Sequence, residues 1–190
     1  MLSHNCSSPF VSNINLFNTI NMKSVFIGLI IAISALTVPT ARCIQNTISI
    51  KEFVSSYLQM KNAFTEDNSG SAAAAGERME ASFKNFDKSS LTPVQKKQFE
   101  DVEADAREHA EHISKNSGNI AHQREHFVIL SKDIYDLVKT FGAGQVLYKD
   151  FDPMANNGKG ASWLSETKEI KNPYMGKAML NTGTVKEEIK

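Results

Sequence analysis

The 190-residue chain has only two cysteines, Cys6 and Cys43, and both lie within its first 43 residues. The part that follows therefore has no thiol that could form a disulfide or supply a thiolate ligand. Lys plus Arg and Asp plus Glu are balanced at 21 each, and no basic stripe is present, so nucleic acid is not an expected partner. No nucleophile elbow, phosphate loop or dinucleotide fingerprint occurs, and we do not expect an enzyme.

Long apolar runs are also scarce. One run, at residues 25–38, follows Lys23 and precedes Arg42 and Cys43. It is shorter than the ~20 residues that a membrane span needs, and its layout is typical of a secretory signal peptide. We predict that residues 1–43 are an N-terminal extension plus signal peptide, with Met22 as the true start. The protein is then periplasmic, with no membrane span in the mature chain. An uncleaved membrane anchor is the alternative.

Four segments with apolar residues at steps of three and four predict amphipathic helices. They lie at about 48–64, 71–86, 92–116 and 119–141. Thr92 and Gln95 form a capping-box pattern, Asn119 is a candidate cap, and Gly142 ends the last helix.

Short loops between such helices favour an antiparallel up-down bundle. We therefore predict an all-α fold, in which residues 44–190 form a single helical-bundle domain. Residues 145–183, the C-terminal flap, contain two prolines, four glycines and the only tryptophan. This composition predicts an irregular segment, with one short strand or hairpin at most and a candidate strand at 145–149. We predict that residues 184–190 form a frayed, mostly charged end.

Histidines are concentrated on the third and fourth helices. His109 and His112 are three residues apart, and His122 and His126 are four apart, so each pair shares a helix face and suits a metal ion. A solvated cluster with a half-buried His109 is the alternative. His122 to His126 also fits H-x-x-E-H, a zinc hydrolase pattern in which Glu125 would be the base.

The flap supplies a second set of candidate ligands, the methionines Met154, Met175 and Met179. Thioethers are soft ligands that favour Cu(I). Methionine also fills irregular gaps between packed elements, and that interpretation stays open.

Several flap motifs together resemble a known family. They are Tyr148, Pro153-Met154-Ala155, Gly160-Ala161-Ser162-Trp163-Leu164-Ser165, Glu169-Ile170-Lys171-Asn172-Pro173-Tyr174-Met175-Gly176, and Met179-Leu180 with Gly183. Residues 123–131 of the last helix add to the likeness. The chain resembles the family catalogued as domain of unknown function 3347, over roughly residues 48–190. Its members are small exported proteins or domains appended to periplasmic adaptor subunits of copper/silver efflux pumps.

The chain departs from the family pattern at two linked positions. Asp152 stands where the family has the Cys of Cys-Pro-Met, and Thr182 stands where it has a second Cys before the last Gly. The paired loss suggests that the two family cysteines act jointly, as a disulfide or a two-thiolate site. Met175 replaces a family phenylalanine and adds a thioether.

The resemblance implies an exported binding module of a metal-handling system, which holds Cu(I) or Ag(I) weakly and passes it to an efflux-pump or copper-chaperone partner. A structural or interaction protein of the cell envelope, without the family's metal site, is the alternative. The expected metal ligands are Met154, Met175, Met179, His122, His126, His109 and Asp152. The residues expected to maintain the flap are Trp163, Asn172, Pro173, Tyr174 and Gly176.

Overall fold

The helices follow the apolar spacing of the sequence. A computed structural model describes the backbone of residues 40–190 and the side chains of residues 50–190. Most of the predicted signal peptide lies outside these residues. The helices are α1 Thr40–Thr65, α2 Ser69–Lys84, α3 Pro93–Lys115 and α4 Ile120–Phe141, with a short 3-10 turn at Lys88–Ser90. None of the helices in the described part combines the length and the apolarity that a membrane crossing requires.

Local capping sets the helix ends as predicted. Thr92 and Gln95 form the reciprocal capping box at the start of α3. The Asn119 side chain accepts a hydrogen bond from the backbone N–H of His122 at the start of α4. At the other end of α4, Gly142 has a φ of 79° and closes the helix through its N–H on Val138. These contacts use orphan backbone groups that a helix end leaves free.

The four helices pack in sequence order. α1 contacts α2 and α4, α2 contacts α3, and α3 contacts α4. Connections of three to eight residues join them, which requires neighbouring helices to run in opposite directions. Their apolar faces meet in one core, with aromatic side chains of all four helices at its centre: Phe53, Tyr57, Phe64, Phe83, Phe99 and Phe127.

The expected fold is confirmed for the four helices, but the chain is not all-α, because its C-terminal part contains regular β-structure. The strands are β1 Leu147–Asp152, β2 Ala161–Ser165 and β3 Thr184–Ile189, and they form an antiparallel sheet in the order β2-β1-β3. The β1–β2 hairpin is the one hairpin that the prediction allowed in the flap, and the candidate strand at 145–149 begins two residues later than expected. The charged end predicted to fray is β3. Its last pair, Leu147 with Ile189, is buried.

Buried polar contacts join the sheet to the bundle. The Leu164 N–H donates a 2.9 Å hydrogen bond to the Tyr57 hydroxyl. That hydroxyl also lies 2.8 Å from Ser131 Oγ on α4. Tyr174 lies 3.2 Å from the same Ser131 Oγ, and its hydroxyl donates to the Ser162 carbonyl at 2.7 Å. One series of hydroxyls therefore connects α1, α4 and β2.

The flap residues singled out from the resemblance are all buried. Trp163 is 1 % exposed and packs edge-on against the Tyr174 ring, with 5.9 Å between the ring centroids. Asn172 is fully buried, and its Oδ1 accepts hydrogen bonds from the Tyr174 and Met175 N–H groups. Gly176 has a φ of 58°, and a Cβ there would collide with the Asp67 carboxylate. The Pro173 carbonyl accepts a 2.7 Å hydrogen bond from Arg124 Nε.

Candidate metal centre

Four histidines of α3 and α4 meet on one side of the bundle. The loop 116–119 between the two helices is short, so residues near this end of α3 face residues near the start of α4. His112 stacks on His126, with 4.3 Å between ring centroids and 7° between ring planes. The His109 ring centroid lies 5.1 Å from that of His126, and the His122 centroid lies 4.6 Å from it. His126 is therefore the central ring of the cluster.

Three of these rings bring nitrogen atoms close enough for a shared cation. His112, His122 and His126 each offer one ring nitrogen, and these atoms lie within 4.8 Å of one another. The shortest separation joins His122 Nε2 and His126 Nε2, at 3.2 Å. A tetrahedral metal with nitrogen ligands at 2.0–2.1 Å places neighbouring ligand atoms about 3.3 Å apart. The pair already has that spacing. The His112 ring stacks nearly parallel on His126, so it must turn as well as approach to direct a lone pair at the same ion.

The cluster is reachable from solvent. The His112 and His122 side chains are 44 % and 37 % exposed, whereas His109 is buried. Three protein ligands at a solvent-facing position leave a fourth coordination site for water or for a ligand of another molecule.

The electrostatic surroundings favour a cation. Burial, with the neighbouring imidazoles as a second cause, lowers the pKa of His126 from 6.5 to about 4. Its ring is therefore neutral near pH 7 and can use a lone pair for a metal. The other three histidines each lie within 4 Å of a carboxylate one turn away on the same helix. These pairs are Asp105–His109 at 3.3 Å, Glu108–His112 at 3.8 Å and Glu125–His122 at 3.2 Å.

The expected methionine ligands are dispersed by comparison. Met154 and Met175 line one cavity of about 330 Å³ beside Arg124 and Glu125, but Met179 is not among the residues that line it. Met154 is 65 % exposed and Met179 is 48 % exposed. Two of the three thioethers therefore share a space, and that space borders the histidine cluster through Glu125.

Asp152 is occupied within the flap. It is 2 % exposed, and its Oδ1 accepts a hydrogen bond from the Met154 N–H. Its Oδ2 accepts from Asn172 Nδ2 at 2.6 Å and from Thr182 Oγ1 at 3.0 Å. With both oxygens engaged in this way, Asp152 is placed to hold the flap together rather than to bind a cation.

The expected ligand set omitted His112 and the three carboxylates. The sequence does indicate the carboxylates, because each lies three or four residues from its histidine and therefore on the same helix face. The choice of His112 over His109 as third ligand has no such signal, because it depends on how α3 is rotated against α4.

The chain matches one family model, over residues 53–146. The matched part covers the second half of α1 and all of α2, α3 and α4, and it includes the four clustered histidines. It ends before β1, so the flap motifs lie beyond it. No curated protein and no solved structure matches the chain. Through residues 53–146 of its helical bundle, the chain thus matches the family described as protein of unknown function (DUF3347).

Proposed function

We propose that the protein is an exported metal-binding module, which holds a transition-metal cation through His112, His122 and His126. The observation that carries the proposal is the meeting of three imidazole nitrogens within 4.8 Å at a solvent-facing position. Imidazole suits Cu²⁺, Zn²⁺ and Ni²⁺ better than hard cations such as Mg²⁺ or Ca²⁺. The preferred ions are therefore Cu²⁺ and Zn²⁺, rather than the Cu(I) or Ag(I) that the methionines favour.

The openness of the site argues for transfer rather than storage. A structural site encloses its metal with four protein ligands, whereas a site with three ligands keeps a position open. A partner with its own histidine, cysteine or methionine ligands can enter that position and take the ion. An efflux-pump subunit or a metal chaperone of the same compartment is the class of partner that fits.

Calorimetric titration of Zn²⁺ and Cu²⁺ into the metal-free protein tests the proposal. We expect one ion per chain with a Kd of about 10 μM or tighter, equivalent to at least about 7 kcal/mol. Replacing His112, His122 and His126 together by Ala should abolish this binding, and replacing Met154, Met175 and Met179 by Leu should leave it unchanged. A Kd weaker than about 100 μM, or binding that survives loss of the histidines, would contradict the proposal.

A second candidate function rests on the methionines. Met154 and Met175 line the same cavity, so two thioethers are available to one soft ion. Cu(I) titration of the same two variants separates this site from the first: loss of Cu(I) binding in the methionine variant alone assigns the ion to the flap.

The third candidate is a structural or interaction protein of the envelope. It is favoured by the burial of Trp163 and Asn172 and by the hydrogen-bonded pair Asp152–Thr182, which needs no metal. Absence of binding for all three ions in the titrations above would select it.

A further inference from the structure

The histidine cluster continues into carboxylates at both ends. Asp105 Oδ1 lies 3.3 Å from His109 Nε2, and His109 Nδ1 lies 2.8 Å from His126 Nδ1. His126 Nε2 lies 3.2 Å from His122 Nε2, and His122 Nδ1 lies 3.2 Å from Glu125 Oε2. Three rings and two carboxylates therefore form one series with four contacts, which starts on α3 and ends on α4.

The number of imidazole N–H protons available to these four contacts indicates which contact is free to hold a metal ion. A neutral imidazole carries one N–H, and an ionised carboxylate only accepts. When all three rings are neutral, they supply three protons for four contacts, so one contact has none. The His122–Glu125 contact is a hydrogen bond, and the charge of the Asp105 carboxylate, 3.3 Å from His109 Nε2, favours a proton on that nitrogen, so both contacts retain theirs. Between the two ring–ring contacts, the 2.8 Å contact is a better hydrogen bond than the 3.2 Å contact. The contact without a proton is therefore the one between His122 and His126.

On this count, and given the metal site proposed above, we infer that Asp105 and Glu125 are positioning residues. Glu125 holds the proton of His122 on Nδ1. Asp105 acts through His109: it holds the His109 proton on Nε2, so that His109 Nδ1 accepts the Nδ1 proton of His126. Both ligand rings then present a bare Nε2 lone pair to the same point.

Two lone pairs that face each other at 3.2 Å repel, and a cation between them removes the repulsion. Outer carboxylates that fix the tautomer of a ligating histidine are a general feature of metal sites. Here one of them works through an additional ring. Without Asp105, His109 can carry its proton on Nδ1 and donate to His126. The His126 proton then moves to Nε2, where it occupies the metal position.

The tautomers can be measured in the metal-free protein, by long-range ¹H–¹⁵N correlation spectra of ¹⁵N-histidine-labelled full-length chain. We expect His126 and His122 to be Nδ1–H tautomers. In Asp105→Leu, His126 should change to the Nε2–H tautomer. Asp105→Asn keeps an acceptor oxygen and should restore the wild-type spectrum. The matched control is Asp101→Leu, which removes an exposed carboxylate of the same helix that pairs with Lys97 instead.

Zn²⁺ titration of the same variants gives the second readout. Asp105→Leu should weaken binding about 10–100-fold, the usual effect of losing an outer-shell partner, and Asp101→Leu should leave it unchanged. An Nε2–H tautomer of His126 in the wild-type protein would overturn the inference, as would equal Zn²⁺ affinity in wild type and Asp105→Leu. Correct tautomers together with no Zn²⁺ binding would support the positioning role and contradict the proposed function, so the two failures differ.

Discussion

Thr182 Oγ1 donates a 3.0 Å hydrogen bond to Asp152 Oδ2. The resemblance of the flap motifs implies that these are the two positions at which the family has cysteines. Asn172 Nδ2 donates hydrogen bonds to Asp152 Oδ2 and to Thr182 Oγ1, so the three side chains form one small network. The positions are thus in contact although they are 30 residues apart in the chain. In this chain a hydrogen bond joins the two positions, and the joint action of the family cysteines stays a prediction.

This contact predicts that a disulfide can replace the hydrogen bond. We expect Asp152→Cys with Thr182→Cys, in a background with Cys6 and Cys43 changed to Ser, to oxidise spontaneously. Closing a loop of this length should make the oxidised form about 3–4 kcal/mol more stable than its own reduced form. Urea unfolding with and without reductant measures the difference. A double variant that stays reduced in air would show that the two backbones are too far apart.

Trp163 predicts that the flap contributes to stability. Its side chain is 1 % exposed, and replacing a buried large aromatic residue with Ala costs about 3–5 kcal/mol. Trp163→Ala should therefore lower the free energy of unfolding by that amount in urea denaturation. Met154→Ala, at an exposed position of the same flap, is the control and should change it by less than about 0.5 kcal/mol. A loss below about 1 kcal/mol for Trp163→Ala would contradict the observed packing.

Gly76 predicts an exception to helix propensity. Ala normally stabilises a helix by about 0.5–1 kcal/mol relative to Gly. A Cβ at Gly76 would lie 2.8 Å from the Ala110 carbonyl oxygen, so Gly76→Ala must push α2 away from α3. We expect a loss of about 1–3 kcal/mol, the cost of overpacking. Gly70→Ala in the same helix meets nothing closer than 3.7 Å and should be neutral or stabilising. A stable Gly76→Ala would show that the two helices are further apart.

Asp133 predicts a pH-dependent stability. Burial, with Asp105 as a second cause, raises the pKa of Asp133 from 3.8 to about 7. The folded state therefore disfavours the ionised form, and the resulting loss of stability develops as the pH rises from about 4 to 7. Asp133→Asn removes this penalty. The variant should match wild type near pH 4 and exceed it by roughly 1–3 kcal/mol at pH 8.

Chemical denaturation at several pH values measures this difference. Asp101→Asn is the control, because that carboxylate is exposed and pairs with Lys97. An advantage of Asp133→Asn that is the same at pH 4 and pH 8 would contradict a raised pKa.

The helices could be predicted because their signals are local. The capping box at Thr92 and Gln95 and the terminator Gly142 act within a few residues, and the apolar steps recur within each segment. The third strand has no such signal. Its sequence, TVKEEI, is charged because the strand lies at the edge of the sheet with most of its side chains exposed. Its order comes from pairing with β1, some forty residues earlier, and that pairing has no local trace.

In the candidate site, too, the sequence predicted what depends on local spacing and did not predict contacts between different helices. Spacing along each helix predicted that His122 and His126 share a face. The 2.8 Å contact between His109 and His126 depends on the rotation of one helix against the other, which a single sequence does not specify. Asp152 was expected to be a ligand because it replaces a family cysteine. Its hydrogen bonds with Asn172 and Thr182, which are far from it in the chain, have no signal in the sequence.

The Tyr57 hydroxyl has a consequence for where the folding unit ends. It accepts a hydrogen bond from the Leu164 N–H and lies 2.8 Å from Ser131 Oγ. A buried hydroxyl of the first helix therefore has one of its hydrogen-bond partners on the second strand. A fragment limited to the residues that match the family would retain Tyr57 and Ser131 and lose both Leu164 and Tyr174. Such a fragment would open buried hydroxyls and the core around Phe127 to water. The end of the matched region and the end of the cooperative folding unit are therefore different in this protein, and grafting its helices into another scaffold would require the sheet to go with them.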